Sequence, residues 1–366
     1  GTAGTVLEMD EGHQFARGHP GMHVFPALLA ATEGTTELVS GKDFLTAFIV
    51  GYDIAARIGL ATSLNANMHP HGTWGVIGAA AALGALNRLD EVQLAELLNI
   101  ASSLTLATSR KTMLEGGTVR NAYTGVANQM SHTAHKLLMA GFTGELDGIG
   151  SVFGGVVSSG FDVEAALESI GKRFEVDRNY FKLHACCRYN HAALDALWIL
   201  LDKHPELQNP GQIDRIHVES YFLAAELDDQ KPRNMLAARF SIPFAIATTL
   251  INRSSKVHSF TGNALTDPAT LALAAKTSIS ESSFMSAQLP DFRPAEVSIT
   301  MKNGQNFKAG VKTNRGDWQD PYDNAQLKEK YISLTARRWS AKTSNTVYHN
   351  IFALDRFSNV TLAFDG

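Results

Sequence analysis

The sequence predicts a mainly α protein: a largely helical body, then a smaller α+β unit, then a helical return. Three observations carry this. Up to about residue 180, apolar residues recur at helical spacing and nothing reads as a confident strand. Strand patterns follow after residue 212, with an Asn303-Gly304 turn between two of them. From Asp323 the helical pattern resumes. The boundaries drawn on this pattern are 1–182 for the helical body, 183–322 for the α+β unit and 323–366 for the return.

In chain order, residues 26–33 read as a helix. Residues 41–64 read as another, with Phe44, Phe48, Tyr52 and Ala55 at spacings of four, four and three. Residues 67–72, Asn-Met-His-Pro-His-Gly, form a polar loop. Residues 74–86 are rich in Ala and Gly, which let helices approach closely, so a central buried helix is expected. Asp90 is an N-cap for a helix running to about Thr108. Residues 116–121 are a third loop, carrying Arg120. Residues 122–140 are helical, stopped by Gly141, and 163–171 form a short helix. Residues 214–222 carry a mixed strand pattern. Residues 239–251 look helical despite Pro243, and 271–277 read as a short helix. Residues 295–300 and 306–311 make the clearest hairpin. Residues 323–341 return to helix, with Leu327, Tyr331, Leu334 and Trp339 apolar.

Composition narrows the function classes. The 366 residues suffice for two domains and a sizeable core. A net charge of -4 gives no sign of a nucleic-acid partner. The two cysteines, Cys186 and Cys187, are adjacent and cannot build a disulfide framework, so a reducing cytoplasm is expected. No apolar run is expected to reach the roughly 18 residues that span a bilayer, so no membrane partner is expected. No signal peptide is read. The chain opens on Gly1-Thr-Ala-Gly-Thr, with no Met, directly before its busiest loop, which suggests missing upstream sequence.

That loop is the centre of the reading. Glu8, Asp10, Glu11, His13, Arg17, His19 and His23 fall within sixteen residues, punctuated by Gly12, Gly18, Pro20 and Gly21. Carboxylates and imidazoles on a loop fixed to a buried helix are a layout for proton transfer. Asp10 can orient a histidine or accept a proton. His19 and His23, four apart, would pair on a metal only in a helix, and Pro20-Gly21 argues against one. His69-x-His71 is a weak metal pattern without a Cys or carboxylate partner, so no metal is expected. Asp195, four residues after His191, could orient that imidazole. Arg188 and Lys182 could hold a carboxylate, Arg through its bidentate fork. Vicinal Cys186 and Cys187 read as inert packing in a helix.

Six blocks in order resemble the MmgE/PrpD family of 2-methylcitrate dehydratase-like proteins, which includes cis-aconitate decarboxylase and an iminodisuccinate epimerase. They are Met-Asp-Glu-Gly-His with Gly-His-Pro-Gly from Met9; His69-Pro-His-Gly-Thr-Trp-Gly; residues 125–144; Cys-Cys-Arg-Tyr-Asn-His from Cys186; Arg239-Phe-Ser-Ile-Pro-Phe-Ala; and Gly316-Asp-Trp-Gln-Asp-Pro. The resemblance implies an all-helical large domain with a smaller inserted α+β lid and a cleft between them. It also implies a homodimer, no cofactor, and a small di- or tricarboxylic acid as substrate. By the same resemblance the catalytic residues are Asp10, His19, His69 and His191. His13, His71, Arg120, Lys182 and Arg188 are assigned to substrate binding, and spacing does not separate His69 from His71.

Two positions depart from the dehydratase and decarboxylase pattern: Leu114 where those members have a lysine, and Phe240 where they have a polar residue. Arg120 could supply the missing charge. The expected chemistry is proton abstraction α to a carboxylate, leading to 2-methylcitrate dehydratase-like dehydration. Epimerisation, decarboxylation and a non-catalytic carboxylate-binding homologue are the alternatives.

Overall fold

The computed structural model describes residues 1–365. Five helices form the first body: α1 (Pro20–Glu33), α2 (Gly41–Ala61), α3 (Trp74–Leu86), α4 (Glu91–Ser103) and α5 (Tyr123–Met139). α3 is its axis. It is buried from Trp74 to Gly84 and packs on all four others. A helix enclosed on every side needs no polar face. Small residues set the spacing: a Cβ added at Gly78 would lie 2.3 Å from the Ala55 Cβ and 2.7 Å from the Gly51 carbonyl oxygen.

Several boundaries differ from the sequence reading, each for a local reason. α1 starts at Pro20, not at 26, because Pro at the first helical position has its φ preset and no N–H to lose. Pro20-Gly21 therefore opens the helix it was expected to break. α4, opened by an Asp90–Gln93 capping box, stops at Ser103. The next residues leave to bind the 67–72 loop, with His69 N–H donating to the Thr108 carbonyl at 2.8 Å and Leu106 N–H to that of Gly72 at 2.8 Å. α2 corrects the expectation about apolar runs. It is long and apolar enough to cross a membrane, with mean hydropathy 1.5, yet 61% of that window is buried inside the fold.

Four short strands outside the main sheet escaped the sequence reading: β1 (Gly12–His13), β2 (Thr62–Leu64), β3 (Ser158–Phe161) and β4 (Asn179–Tyr180). β1 pairs antiparallel with β4, and β2 with β3. None is long enough to display alternation.

The second core surrounds a mixed sheet of β5 (Ile213–Ser220), β6 (Thr277–Glu281), β7 (Ala295–Met301) and β8 (Asn306–Val311), in the order β6-β5-β7-β8. β5 and β6 are parallel and the other pairs antiparallel. Helices α6 (His191–Lys203) and α7 (Ile242–Asn252) join this core through Leu194, Leu197 and Ile246, beside Ile216, Val218 and Val297. The helix expected over 239–251 is broken at Phe240–Ser241. Ser241 caps α7, and Pro243 falls in its first turn, where no N–H is missed.

α8 (Asn324–Thr335) and α9 (Ala341–Phe352) follow. Beyond them Leu354, Val360 and Ala363 pack on Val24, Leu28 and Phe44 of the first body. Val360 N–H donates to the Val39 carbonyl at 2.8 Å.

Candidate active site

The β1–β4 pairing sets Gly12 opposite Tyr180 and His13 opposite Asn179. This lays the charged N-terminal loop along the segment leading to Lys182. Asp10 then holds two partners, His19 Nδ1 at 3.0 Å and Lys182 Nζ at 3.1 Å. Glu8 accepts from Arg120 Nη1 and lies 3.4 Å from Lys182 Nζ. Glu8, Asp10, Arg120 and Lys182 are all buried. Burial by itself would raise the Asp10 carboxyl, but the charges of His19, Lys182 and Arg120 hold it well below the usual carboxylate range. Burial would lower the Lys182 ammonium, and Asp10 with Glu8 instead raises it. Both groups are therefore charged at neutral pH.

His19 is the end of this network that reaches open space. Its Nδ1 lies against the Asp10 carboxylate and the Glu11 carbonyl oxygen. That engagement leaves Nε2 as the atom for chemistry. The ring lines a cavity of about 520 Å³, open mouth included, together with His69, His71, Glu8 and Arg120. The His71 ring stands perpendicular to both neighbours, 4.8 Å from His19 and 4.5 Å from His69. Burial, reinforced by the Arg120 charge, pushes His69 and His71 well below ordinary histidine values, so both are neutral.

The charged part of the remaining wall is mostly cationic, set among Met113, Tyr180, Tyr189 and Phe240. Arg17, Arg110, Arg188 and Arg293 join Arg120, against the single carboxylate of Glu8. Arg110 pairs with Glu226 at 2.7 Å, and Arg188 with Asp317. Among the described residues neither Arg17 nor Arg293 forms an ion pair within 4.0 Å. Glu8 and Arg17 also hold left-handed backbone, φ 51° and 56°. Such strain in non-glycine residues gathers at functional sites.

Not every expected residue reaches the cavity. His13 is fully buried and bound through Nε2 to Glu175 at 3.1 Å. His191, first residue of α6, is also fully buried, with Nε2 3.2 Å from the Cys186 carbonyl oxygen and its ring 5.0 Å from that of His184. It does not line the cavity. Asp195 does not orient it; that carboxylate binds His184 Nε2 at 3.0 Å and accepts from the Arg315 N–H at 2.8 Å. Asp10 and Lys182 stand behind His19 and Glu8, outside the lining. Cys186 and Cys187 precede a turn and are not in a helix, and burial raises both thiols.

Leu114 packs on the second core, and Phe240 lines the cavity with the Arg120 guanidinium 5.1 Å over its ring. His23 accepts from the Gly72 N–H at 3.2 Å, tying α1 to the second loop. Among the described residues no three His, Cys, Asp or Glu side chains converge as a metal-binding set.

The sequence reading missed Glu8, Arg17, Tyr180, Tyr189 and Arg293 as cavity residues. Glu8 and Arg17 lay inside the charge-dense stretch and carried a signal. Arg293 belonged to no motif. Glu11 was also missed as a buried acid. Burial, with Asp10 beside it, pushes its carboxyl up to about 7. Its Oε1 accepts from the Gly21 N–H at 2.6 Å, and Oε2 has no partner.

A carboxylate-held imidazole facing an arginine-rich cavity, between a helical body and a mixed-sheet unit, is suited to a small anionic acid. The chain belongs to the MmgE/PrpD family: the model of the N-terminal domain matches residues 1–163 and that of the C-terminal domain residues 184–351. Its relatives include cis-aconitate decarboxylase of Aspergillus terreus, 24% identical over 97% of this chain and 77% of that protein. The cis-aconitate decarboxylase of Mus musculus is 25% identical over 95% of this chain and 74% of its own length. That of Homo sapiens is 24% identical over the same shares.

Proposed function

We propose that the protein is a cofactor-independent lyase that decarboxylates a small unsaturated tricarboxylic acid, with cis-aconitate as the first substrate to test. The observation that carries this is His19, held by ionised Asp10 and opening on a cavity where cations outnumber carboxylates. The Glu11 carbonyl fixes the tautomer by accepting from Nδ1, and the Asp10 carboxylate beside the same nitrogen stabilises the imidazolium when it forms. His19 Nε2 then gives its proton to the CH carbon of the substrate double bond. The double bond shifts, and the carboxylate on the CH₂ carbon leaves as carbon dioxide, its bonding pair completing the new C=C. Nothing is oxidised or reduced by an outside agent, so no electron carrier is required. The guanidinium groups hold the carboxylates that stay.

The names of the relatives favour this reading over the dehydration expected from the sequence, which would use the same His19 as a base. The test is incubation with cis-aconitate, citrate and 2-methylcitrate in D₂O, followed by NMR and carbon dioxide detection. Carbon dioxide and one solvent deuteron per product from cis-aconitate are expected. Water loss from a hydroxy acid without carbon dioxide would move the reading to a hydro-lyase. Neither turnover nor deuterium exchange with any of the three acids would overturn both.

A further inference from the structure

Resting on that reading, we infer that Arg188 and Arg293 form a second carboxylate subsite, which makes the protein select acids with three carboxylates over acids with two. Both residues line the cavity and both are 4% exposed. Arg293 donates through Nη2 to the Gln14 carbonyl at 2.7 Å, while its Nε is buried with no partner. Arg188 gives Nη2 to Asp317, while its Nε and Nη1 are buried with no partner. Guanidinium does not shed its proton, so these donors cannot be silenced by neutralisation. Three unfilled donor atoms on two permanently charged groups are costly unless something accepts from them.

The charges suggest what that acceptor is. Two arginines and Asp317 leave a single positive charge, which one carboxylate balances. The groups are also held in place. The Arg188 guanidinium lies 5.1 Å over the Tyr180 ring, and that of Arg293 lies 5.7 Å over Tyr189. Gln14 clamps the loop before Arg293, with Nε2 donating to the Pro290 carbonyl at 2.6 Å and to that of Asp291 at 2.8 Å. Arg120 is already matched by Glu8, Arg110 by Glu226, and Arg17 is exposed to solvent, so the buried pair Arg188 and Arg293, sharing the one carboxylate of Asp317, has a charge to spare.

The test compares an inert tricarboxylate, tricarballylate, with methylsuccinate, which is tricarballylate with one terminal carboxylate replaced by hydrogen. Binding is measured by calorimetry on the wild type, Arg293→Gln and Arg293→Lys. Loss of a charge-assisted fork should weaken tricarballylate about tenfold or more in Arg293→Gln, with methylsuccinate changed by less than about threefold. Arg293→Lys keeps the charge and loses the fork, so it should show the same selectivity with a smaller factor. It also serves as the deciding variant if Arg293→Gln does not fold.

Equal weakening of both acids, no change in either, or no binding by the wild type would overturn the subsite. Turnover is read separately. Arg293-dependent selectivity without turnover keeps the subsite and removes the lyase. Turnover with a KM that ignores Arg293→Gln does the reverse.

Discussion

Asp10→Asn should separate the chemical job of Asp10 from its structural one. Asn keeps the shape but not the charge, so His19 keeps the Glu11 carbonyl at Nδ1 and loses the charged partner of its imidazolium. On the precedent of carboxylate–imidazole pairs, kcat should fall by about 10²–10⁴. The structural loss falls on Lys182, which is fully buried 3.1 Å from Asp10. Breaking a buried pair from one side costs about 3–5 kcal/mol. Glu8 remains 3.4 Å from the ammonium, which places the expected cost at the lower end. Removing the stranded charge as well, in Asp10→Asn/Lys182→Met, should restore part of the stability and none of the turnover.

The pH dependence has a definite sign. The folded-state carboxyl lies below the ordinary aspartate value of 3.8, so its stabilisation is full above that value and is lost as pH falls through the lower, folded value. The part of the stability gap between wild type and Asp10→Asn that comes from the Asp10 carboxylate should therefore close in acid, as pH falls through its folded value. Urea unfolding and steady-state kinetics on the three proteins check this. Turnover of Asp10→Asn within about threefold of wild type would remove Asp10 from the mechanism. A double variant no more stable than Asp10→Asn would refute the Lys182 account.

Glu11 titrates in the opposite sense: its carboxyl is raised from 4.5 to about 7, so wild-type stability should fall as pH rises through that window. Glu11→Gln should flatten that slope and gain roughly 3 kcal/mol at pH 8, read by urea unfolding across pH. Equal slopes in the two proteins would show that Glu11 is not held neutral by the fold. Arg120→Lys should raise KM by about tenfold with a smaller change in kcat, because an ammonium cannot serve Glu8 and a substrate carboxylate as a fork does. A lower melting temperature with unchanged KM would make Arg120 purely a partner of Glu8. His191→Gln should lower stability by about 1–3 kcal/mol and leave kcat within about threefold, since the ring is buried outside the cavity. A hundredfold kcat loss at unchanged stability would return His191 to the chemistry.

What the sequence made legible follows from how local each cause is. α3 was readable to the residue because its whole length is apolar and it ends where Asn87 does. The Asn303-Gly304 turn named its hairpin because Gly304 must adopt φ 87°, which only the turn demands. α4 was read too long because its end is fixed by Gly72 and His69, partners more than thirty residues upstream. β6 was missed because Thr277 pairs with Ile216, and its neighbours alternate too weakly to announce a strand.

The site divides along the same line. Asp10 and His19 were findable because both members of the pair lie on one loop, and their contact needs only that loop to close. The expected partner of His191 is not the one the fold supplies, for the converse reason. Its neighbour at the fourth position suggested an Asp195 partnership, but Asp195 faces His184 and the Arg315 backbone, contacts that helical spacing does not encode. Arg293 lies furthest from sequence legibility, in no motif and at no periodic position. It is a cavity residue because Gln14 reaches across from the first loop and holds the 290s segment against it. A charge-rich loop can therefore announce where a carboxylate and an imidazole meet. The residues proposed to measure the substrate arrive from distant segments, and become visible as buried guanidinium groups with donor atoms left over after their protein partners.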